Sequence, residues 1–401
     1  MAAGGSAPRT RPLVNSHIHL PPNFSAFQNV AQAVNLAAEQ DVRVLGISNY
    51  YDFEVYGSFA ALARRRRIFP LFGLEIIALI EPLLREGAKL NDPGNPGKLY
   101  LCGKGITRFD RLSGEAQRLI WIIRHNDAQR MAEMSRRMAE KFAAHGVDTG
   151  LDEQAVIGRI VARHGCARET VFPQERHVAQ AFQEVLFEKV PAAQRLDKLA
   201  EILGARPKSA DPVPVQNDIR THLMKAGKPA FVEETFVDFQ QAYRLVLELG
   251  GIPCYPTLAD GASPVCPFEE PVGKLIENIK RWNVHCAEFI PLRNKETVLA
   301  RYVKAMRAAG LVVTAGTEHN TLDLLPIEPA CANAPVPDEI KEIFWEGACV
   351  VAAHQFLSLH GECGFVDGRG QPNPAYKDSE ERIVAFRKLG AAVIQRYYEN
   401  N

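Results

Sequence analysis

Residues 13–20 read LVNSHIHL, an apolar run that ends in two histidines one residue apart, His17 and His19, directly before Pro21 and Pro22. Alternate side chains of a strand project to the same face, so both imidazoles leave the strand together at its C-terminal end. Paired imidazoles on one face are a start on a metal site. In a parallel barrel, the C-terminal end of a strand is also the mouth where active sites collect. The plainer alternative is a strand end that carries two structural histidines.

Outward from this stretch, strands and helices alternate. NVAQAVNLAAEQ (29–40) has the spacing of an amphipathic helix, VRVLGIS (42–48) that of a strand, and a helix over 55–66 leads into the strand IFPLFGLEI (68–76), which carries Glu75. The run Arg64 to Arg67 at the end of that helix reads as a solvated basic terminus rather than a phosphate site. AKLNDPGNPG (88–97) is a loop by composition and KLYLCGKG (98–105) a further strand. Between 113 and 226 the chain is charged and helix-patterned with no strand-like run, which predicts a helical insertion beside the barrel mouth. Strand-like runs then return at PAFVEE (229–234), GIPCYPT (251–257), VHCAEFIP (284–291) and LVVTAGTEHN (311–320), with helices expected near 237–249, 270–282 and 295–309. Two more helices are expected near 337–359 and 378–397.

Alternation on this scale predicts an α/β fold with a parallel sheet closed into a barrel. The expected division is a disordered tail over 1–12, the first part of the barrel over 13–112, the insertion over 113–226, the second part of the barrel over 227–321 and a helical extension over 322–401.

Composition narrows the function. With 46% hydrophobic residues in 401, the chain can bury a large core without disulfides. Lys plus Arg and Asp plus Glu both number 47, so no polyanion partner is implied and nucleic acid is not expected. The eight cysteines contain no CxxC pair, which argues against a zinc ribbon or a secreted disulfide framework and for reduced, buried thiols. MAAGGSAPRTRP at the start has no apolar segment and no later run approaches the length of a membrane span, so a cytoplasmic, membrane-free protein is expected. Walker and dinucleotide glycine loops and a GxSxG elbow are absent from the sequence.

Each barrel strand delivers its last side chains to one shared mouth, and here they are chemical: His17 and His19; Ser48, Asn49 and Tyr50; Glu75; Glu233 and Glu234; Tyr255; Glu288 and Arg293; Glu318, His319 and Asn320. Two histidines with two or three carboxylates would hold a divalent cation such as zinc, manganese or iron, which acidifies bound water. Glu75 as a strand-end acid paired with a surface lysine is the plainer reading of that residue. Gly316 and Thr317 predict a tight turn before Glu318, favouring a functional loop. Arg176 and His177, in a helix-opening segment after Pro173, are candidates to hold a phosphate or carboxylate, with Arg220 and Arg293 as similar candidates; a solvated helix start is the alternative.

In order, these segments resemble those of the PHP superfamily, named for its polymerase and histidinol phosphatase members. NSHIHL resembles its first motif, GISNYYDF its Gly-Ile-Thr-Asp-His stretch and PLFGLEI the segment with its metal-bridging acid. ERHVAQAF resembles its Arg-Pro-His stretch, LELGGIPCYP its Ala-His-Pro stretch and VVTAGTEHN its terminal Gly-Ser-Asp-x-His stretch, so the resemblance spans roughly 13–321. It implies a distorted barrel of seven strands, a site with up to three divalent metals and phosphoester hydrolysis. The sequence departs from the pattern where Asn49 and Tyr50 stand for a ligand Asp and His, Lys98 and Tyr255 for ligand histidines, and Asn320 for the final His, while Glu318 can replace the final Asp.

What remains is one metal on His17, His19, Glu75 and Glu318, with His319 as general acid or base and Asn49, Tyr50, Tyr255, Asn320, Arg176, His177 and Arg293 facing a small anionic substrate. The first functional expectation is a metal-dependent phosphoester hydrolase. Two others stay open: a mononuclear-metal isomerase or hydrolase of a sugar or sugar acid, using Tyr50, Tyr255, Glu233 and Glu234, and a non-catalytic binding protein on a decayed barrel.

Overall fold

The computed structural model describes residues 11–400. Of the expected tail, residues 1–10 lie outside the described residues; Arg11 is tied down, pairing with Glu342 and donating to the Asp338 carbonyl at 2.7 Å.

The N-terminal half of the sheet follows the alternation: β1 (Leu13–Ile18), α1 (Val30–Glu39), β2 (Val42–Ile47), α2 (Val55–Arg65), β3 (Phe69–Leu79), α3 (Glu81–Arg85) and β4 (Lys98–Lys104). Next come the helices α4 (Gly114–Ala143), α5 (Glu153–His164), α6 (Glu175–Lys189), α7 (Arg195–Leu203) and α8 (Pro212–Ile219), the last running into a π-helical turn at Arg220–Met224. Strands then resume with β5 (Val237–Asp238), α9 (Phe239–Glu248), β6 (Ile252–Thr257), α10 (Val272–Arg281), β7 (Cys286–Phe289), α11 (Glu296–Ala308) and β8 (Val312–Ala315). Two long helices close the chain, α12 (Asp338–Leu359) and α13 (Ser379–Glu399).

Seven strands lie in the order β1-β2-β3-β4-β6-β7-β8, and β5 pairs with β3 at the side. The ring is completed beyond β8, where the Thr317 and Glu318 amides donate to the His17 carbonyl at 3.0 and 2.9 Å and the His19 amide donates to the Glu318 carbonyl at 2.7 Å. Gly316 permits this approach, because a Cβ there would stand 2.3 Å from the His17 Cβ. The distorted α/β barrel of seven strands is therefore the observed fold.

Two expectations need correction. The sheet is mixed: β4 runs antiparallel to both β3 and β6. The loop over 88–97 simply returns the chain beside β3, a hairpin-like step that helix-strand alternation does not encode. PAFVEE forms no strand, because side chains of α4 take the main-chain acceptors a ladder would need. Arg137 bonds the Phe231 carbonyl, Arg130 that of Val232 at 3.4 Å and Asn126 that of Thr235 at 3.1 Å.

The barrel's core includes Ile18, Leu45, Leu74, Ile76, Phe289 and Val313, and α4 joins it through Leu119, Ile120 and Ile123. Further along, α4 enters a second apolar cluster with Met131, Met134, Phe182, Leu186 and Ile202, which is the insertion's own core. Outside the sheet, α12 and α13 cover Phe69, Leu71, Cys254 and Cys286 with residues such as Cys349, Val350 and Phe386. All eight cysteines are free, six of them buried. Among the described residues no helix is long and apolar enough to cross a membrane.

His354 of α12 ties this outer layer to the sheet. Its Nε2 donates to the Gly250 carbonyl at 2.8 Å, and its Nδ1 accepts from the Phe365 amide at 2.9 Å. Burial, with the Arg108 charge, pushes its pKa from 6.5 down to about 4, and a second proton would also break the Phe365 bond. The unfolded chain takes up a proton here as pH falls through 6.5 while the folded chain resists until about 4, so stability is full above that window and falls within it. Denaturant unfolding between pH 7 and pH 4 is expected to lose about 3 kcal/mol from this residue, a loss absent from the pH dependence of His354→Asn.

Candidate metal centre

His17 and His19 project from the end of β1 to one side, their Nε2 atoms 3.3 Å apart. Glu75 comes up between them from β3, its Oε2 standing 3.2 Å from His17 Nε2 and 3.6 Å from His19 Nε2. These three are one of the groups among the described residues whose donor atoms could hold a metal ion. Ligand atoms ~2.0–2.1 Å from a tetrahedral cation lie ~3.4 Å from each other, so the observed spacings leave the right hole for zinc or a similar ion.

The supports around the trio point the same way. Glu288 of β7 holds His17 Nδ1 at 2.6 Å with one oxygen and the buried Lys104 Nζ at 2.5 Å with the other. A carboxylate on Nδ1 fixes the imidazole tautomer and frees the Nε2 lone pair for the cavity. Burial alone would lower the His17 pKa, but the Glu288 charge reverses this and holds it well above 6.5, so the site attracts positive charge and a cation competes there with a proton. Burial likewise pushes Glu75 up, yet its bonds to His17 and His19 hold it well below the usual carboxylate range. Tyr50 donates its hydroxyl to the other oxygen of Glu75 and stacks its ring on His19, 5.1 Å between centroids. A second cluster, His17 with Cys102 and Glu288, fits less well: Lys104 occupies Glu288, and burial pushes the Cys102 thiol to about 12, away from the thiolate a metal needs.

Of the trio, Glu75 lines a cavity of about 520 Å³, walled on one side by the barrel and on the other by the insertion. Arg176, at the start of α6, lines it without a hydrogen bond or ion pair among the described residues; burial, with Arg220 beside it, lowers its pKa to about 10. Among the described residues Arg220 pairs with Glu175 alone, at 3.7 Å, and its buried Nε has no acceptor. Two neighbouring guanidinium groups with few acceptors could take a phosphate or carboxylate.

Several expected site residues are turned elsewhere. Glu318 lines the cavity but pairs with Arg293 and Asn320, outside the donor group of His17, His19 and Glu75, so it is not a fourth ligand in this arrangement. Arg293 and Asn320 line the cavity too, both bound to Glu318. His319 is held away from the cavity: Nδ1 meets Thr317 Oγ1 at 2.8 Å, Nε2 meets the Leu325 carbonyl at 2.9 Å and the ring stacks on Phe27. With both nitrogens engaged it has no proton site for substrate. Asn49 clasps the amide and carbonyl of Leu20 at 2.8 and 2.9 Å, pinning the end of β1 to β2. His177 caps α6 by accepting from the Gln174 amide at 3.0 Å, and burial lowers its pKa to about 3. Tyr255 is buried and donates to Glu269 at 2.9 Å. Lys98 lines the cavity but is paired with Asp92 at 3.2 Å and Glu234 at 3.0 Å.

Glu288 stood among the strand-end acids, but its part in orienting His17 was not read from the sequence. Lys104, at the end of β4, could have been found by the same strand-end rule. Asp127, on α4, lines the cavity and offered no sequence signal.

No family model and no curated protein matches the sequence. Solved structures resemble the fold. One is an amidohydrolase from Chromobacterium violaceum with bound sulfate and no metal, 16% identical, TM-score 0.52, the match covering 82% of this chain and 96% of that one. Another is a candidate metal-dependent phosphoesterase from Bifidobacterium adolescentis, 14% identical, TM-score 0.52, covering 83% of this chain and 96% of that one.

Proposed function

We propose that the protein is a divalent-metal-dependent hydrolase of the PHP type acting on a small phosphoester. The observation that carries this reading is the convergence of the donor atoms of His17, His19 and Glu75, with Glu75 also lining a cavity that presents Arg176, which has no carboxylate partner among the described residues. The descriptions of the two structural neighbours, an amidohydrolase and a candidate metal-dependent phosphoesterase, lend it support.

A divalent cation held by His17, His19 and Glu75 would supply Lewis acidity and an acidified water. Glu288 and Lys104 keep the proton of His17 on Nδ1, and Tyr50 keeps Glu75 turned toward the histidines. Arg176 and Arg220 bind and orient the anionic group in the partly enclosed cavity. The sugar-acid alternative is weakened, because Tyr255 and Glu234, which it needed, are bound to Glu269, Lys98 and Arg130.

The test is release of inorganic phosphate from a panel of small phosphomonoesters, with carboxylate esters and amides as comparators. Chelator should abolish phosphate release and added zinc, manganese or iron restore it; turnover of amides alone, or none at all, would contradict the proposal. Arg176→Gln is expected to raise KM about 10- to 100-fold with a smaller change in kcat, as loss of a charge-assisted contact made in ground state and transition state alike.

A further inference from the structure

Among the described residues six carboxylates line the cavity, and five have partners. Glu75 has its histidines and Tyr50, Asp92 has Lys98, Glu175 has Arg130 and Lys225, Glu288 has His17 and Lys104, and Glu318 has Arg293. Asp127 makes no hydrogen bond and no ion pair among the described residues. Its place in the fold explains how it comes to face the cavity: α4 leaves the barrel core after Ile123 and enters the insertion core at Met131, and Asp127 lies where the helix bridges the gap. Arg130, one turn on, is directed to Glu175 and Glu234 instead.

Asp127 is half-buried in the cavity wall, and this partial burial pushes its pKa to about 7. Among the described residues it caps no helix and braces no neighbour by hydrogen bonding, so its carboxylate is left to accept from whatever fills the cavity.

We propose that Asp127 is a specificity residue, accepting a hydrogen bond from a hydroxyl or ammonium group on the alcohol portion of the substrate. The substrate class is then a phosphoester whose alcohol carries a second hydroxyl or an amino group, with the anion at Arg176 and Arg220. This rests on the reading of the cavity as a phosphoester site.

The test is calorimetric titration of the chelator-treated full-length protein at pH 8.5 with three probes: glycerol 3-phosphate, O-phosphoethanolamine and propyl phosphate. One of the two donor-bearing probes should bind at least about tenfold more tightly than propyl phosphate, and which one identifies the donor. Asp127→Ala should erase that preference to within about twofold, with propyl phosphate bound at least as tightly as by the parent because a negative charge has left the cavity. Asp127→Asn, of the same shape, should reduce the preference and fold as the parent does. No preference in the parent, no binding of any probe, or a preference that survives in Asp127→Ala overturns the proposal. Because binding is read without turnover, a preserved preference with no phosphate release from the metal-loaded protein counts against the hydrolase reading alone.

Discussion

His17→Ala is expected to lose bound divalent metal and at least about 10³-fold in phosphoester turnover, while His319→Ala stays within about threefold of the parent. The contrast follows from where the nitrogens point. His17 Nε2 faces His19 and Glu75 across 3.3 and 3.2 Å, so its removal takes one of three donors from the hole. Loss of a cation's stabilisation of developing charge, several kcal/mol, corresponds to a factor of that size. His319 is bound by both nitrogens to Thr317 and the Leu325 carbonyl, so its removal leaves the trio untouched. Metal content by elemental analysis and initial rates on the same preparations check both variants.

The second large effect is on stability. Glu288→Ala leaves the Lys104 ammonium buried, with only the Ser16 carbonyl at 3.3 Å and the Ser48 hydroxyl at 3.4 Å. Breaking a buried pair in this way is expected to destabilise the fold by about 3–5 kcal/mol. The double variant Glu288→Leu with Lys104→Met, which removes both charges, should recover most of that loss. Urea unfolding of the three proteins measures it. In the folded fraction of Glu288→Ala, His17 also loses the group that orients it, and metal affinity should fall about 10- to 100-fold. A small stability change with unaltered metal binding would mean that Glu288 does not organise the centre.

The barrel was legible because its signals are local. The spacing of His17 and His19, the apolar run before Glu75 and the helical periodicities on either side all sit within single elements. The antiparallel course of β4 was not legible, since strand direction depends on where a loop returns the chain. Nor was the fate of Asn49, His177, Tyr255 and His319. Each is a polar residue near a strand end or helix start, and the sequence does not say whether its partner is a ligand or a nearby main-chain group. In the fold Leu20, Gln174 and Leu325 supply such main-chain partners, and Tyr255 finds Glu269. Asp127 carried no motif in the sequence, and it is the gap between two apolar cores along α4 that places it on a cavity wall.

The most direct measurement is anomalous diffraction at the absorption edge of the metal found in the purified protein. The account predicts one peak within about 2.0–2.2 Å of His17 Nε2, His19 Nε2 and Glu75 Oε2. A protein that carries no metal after exposure to zinc, manganese or iron, or a peak away from these three atoms, would contradict it.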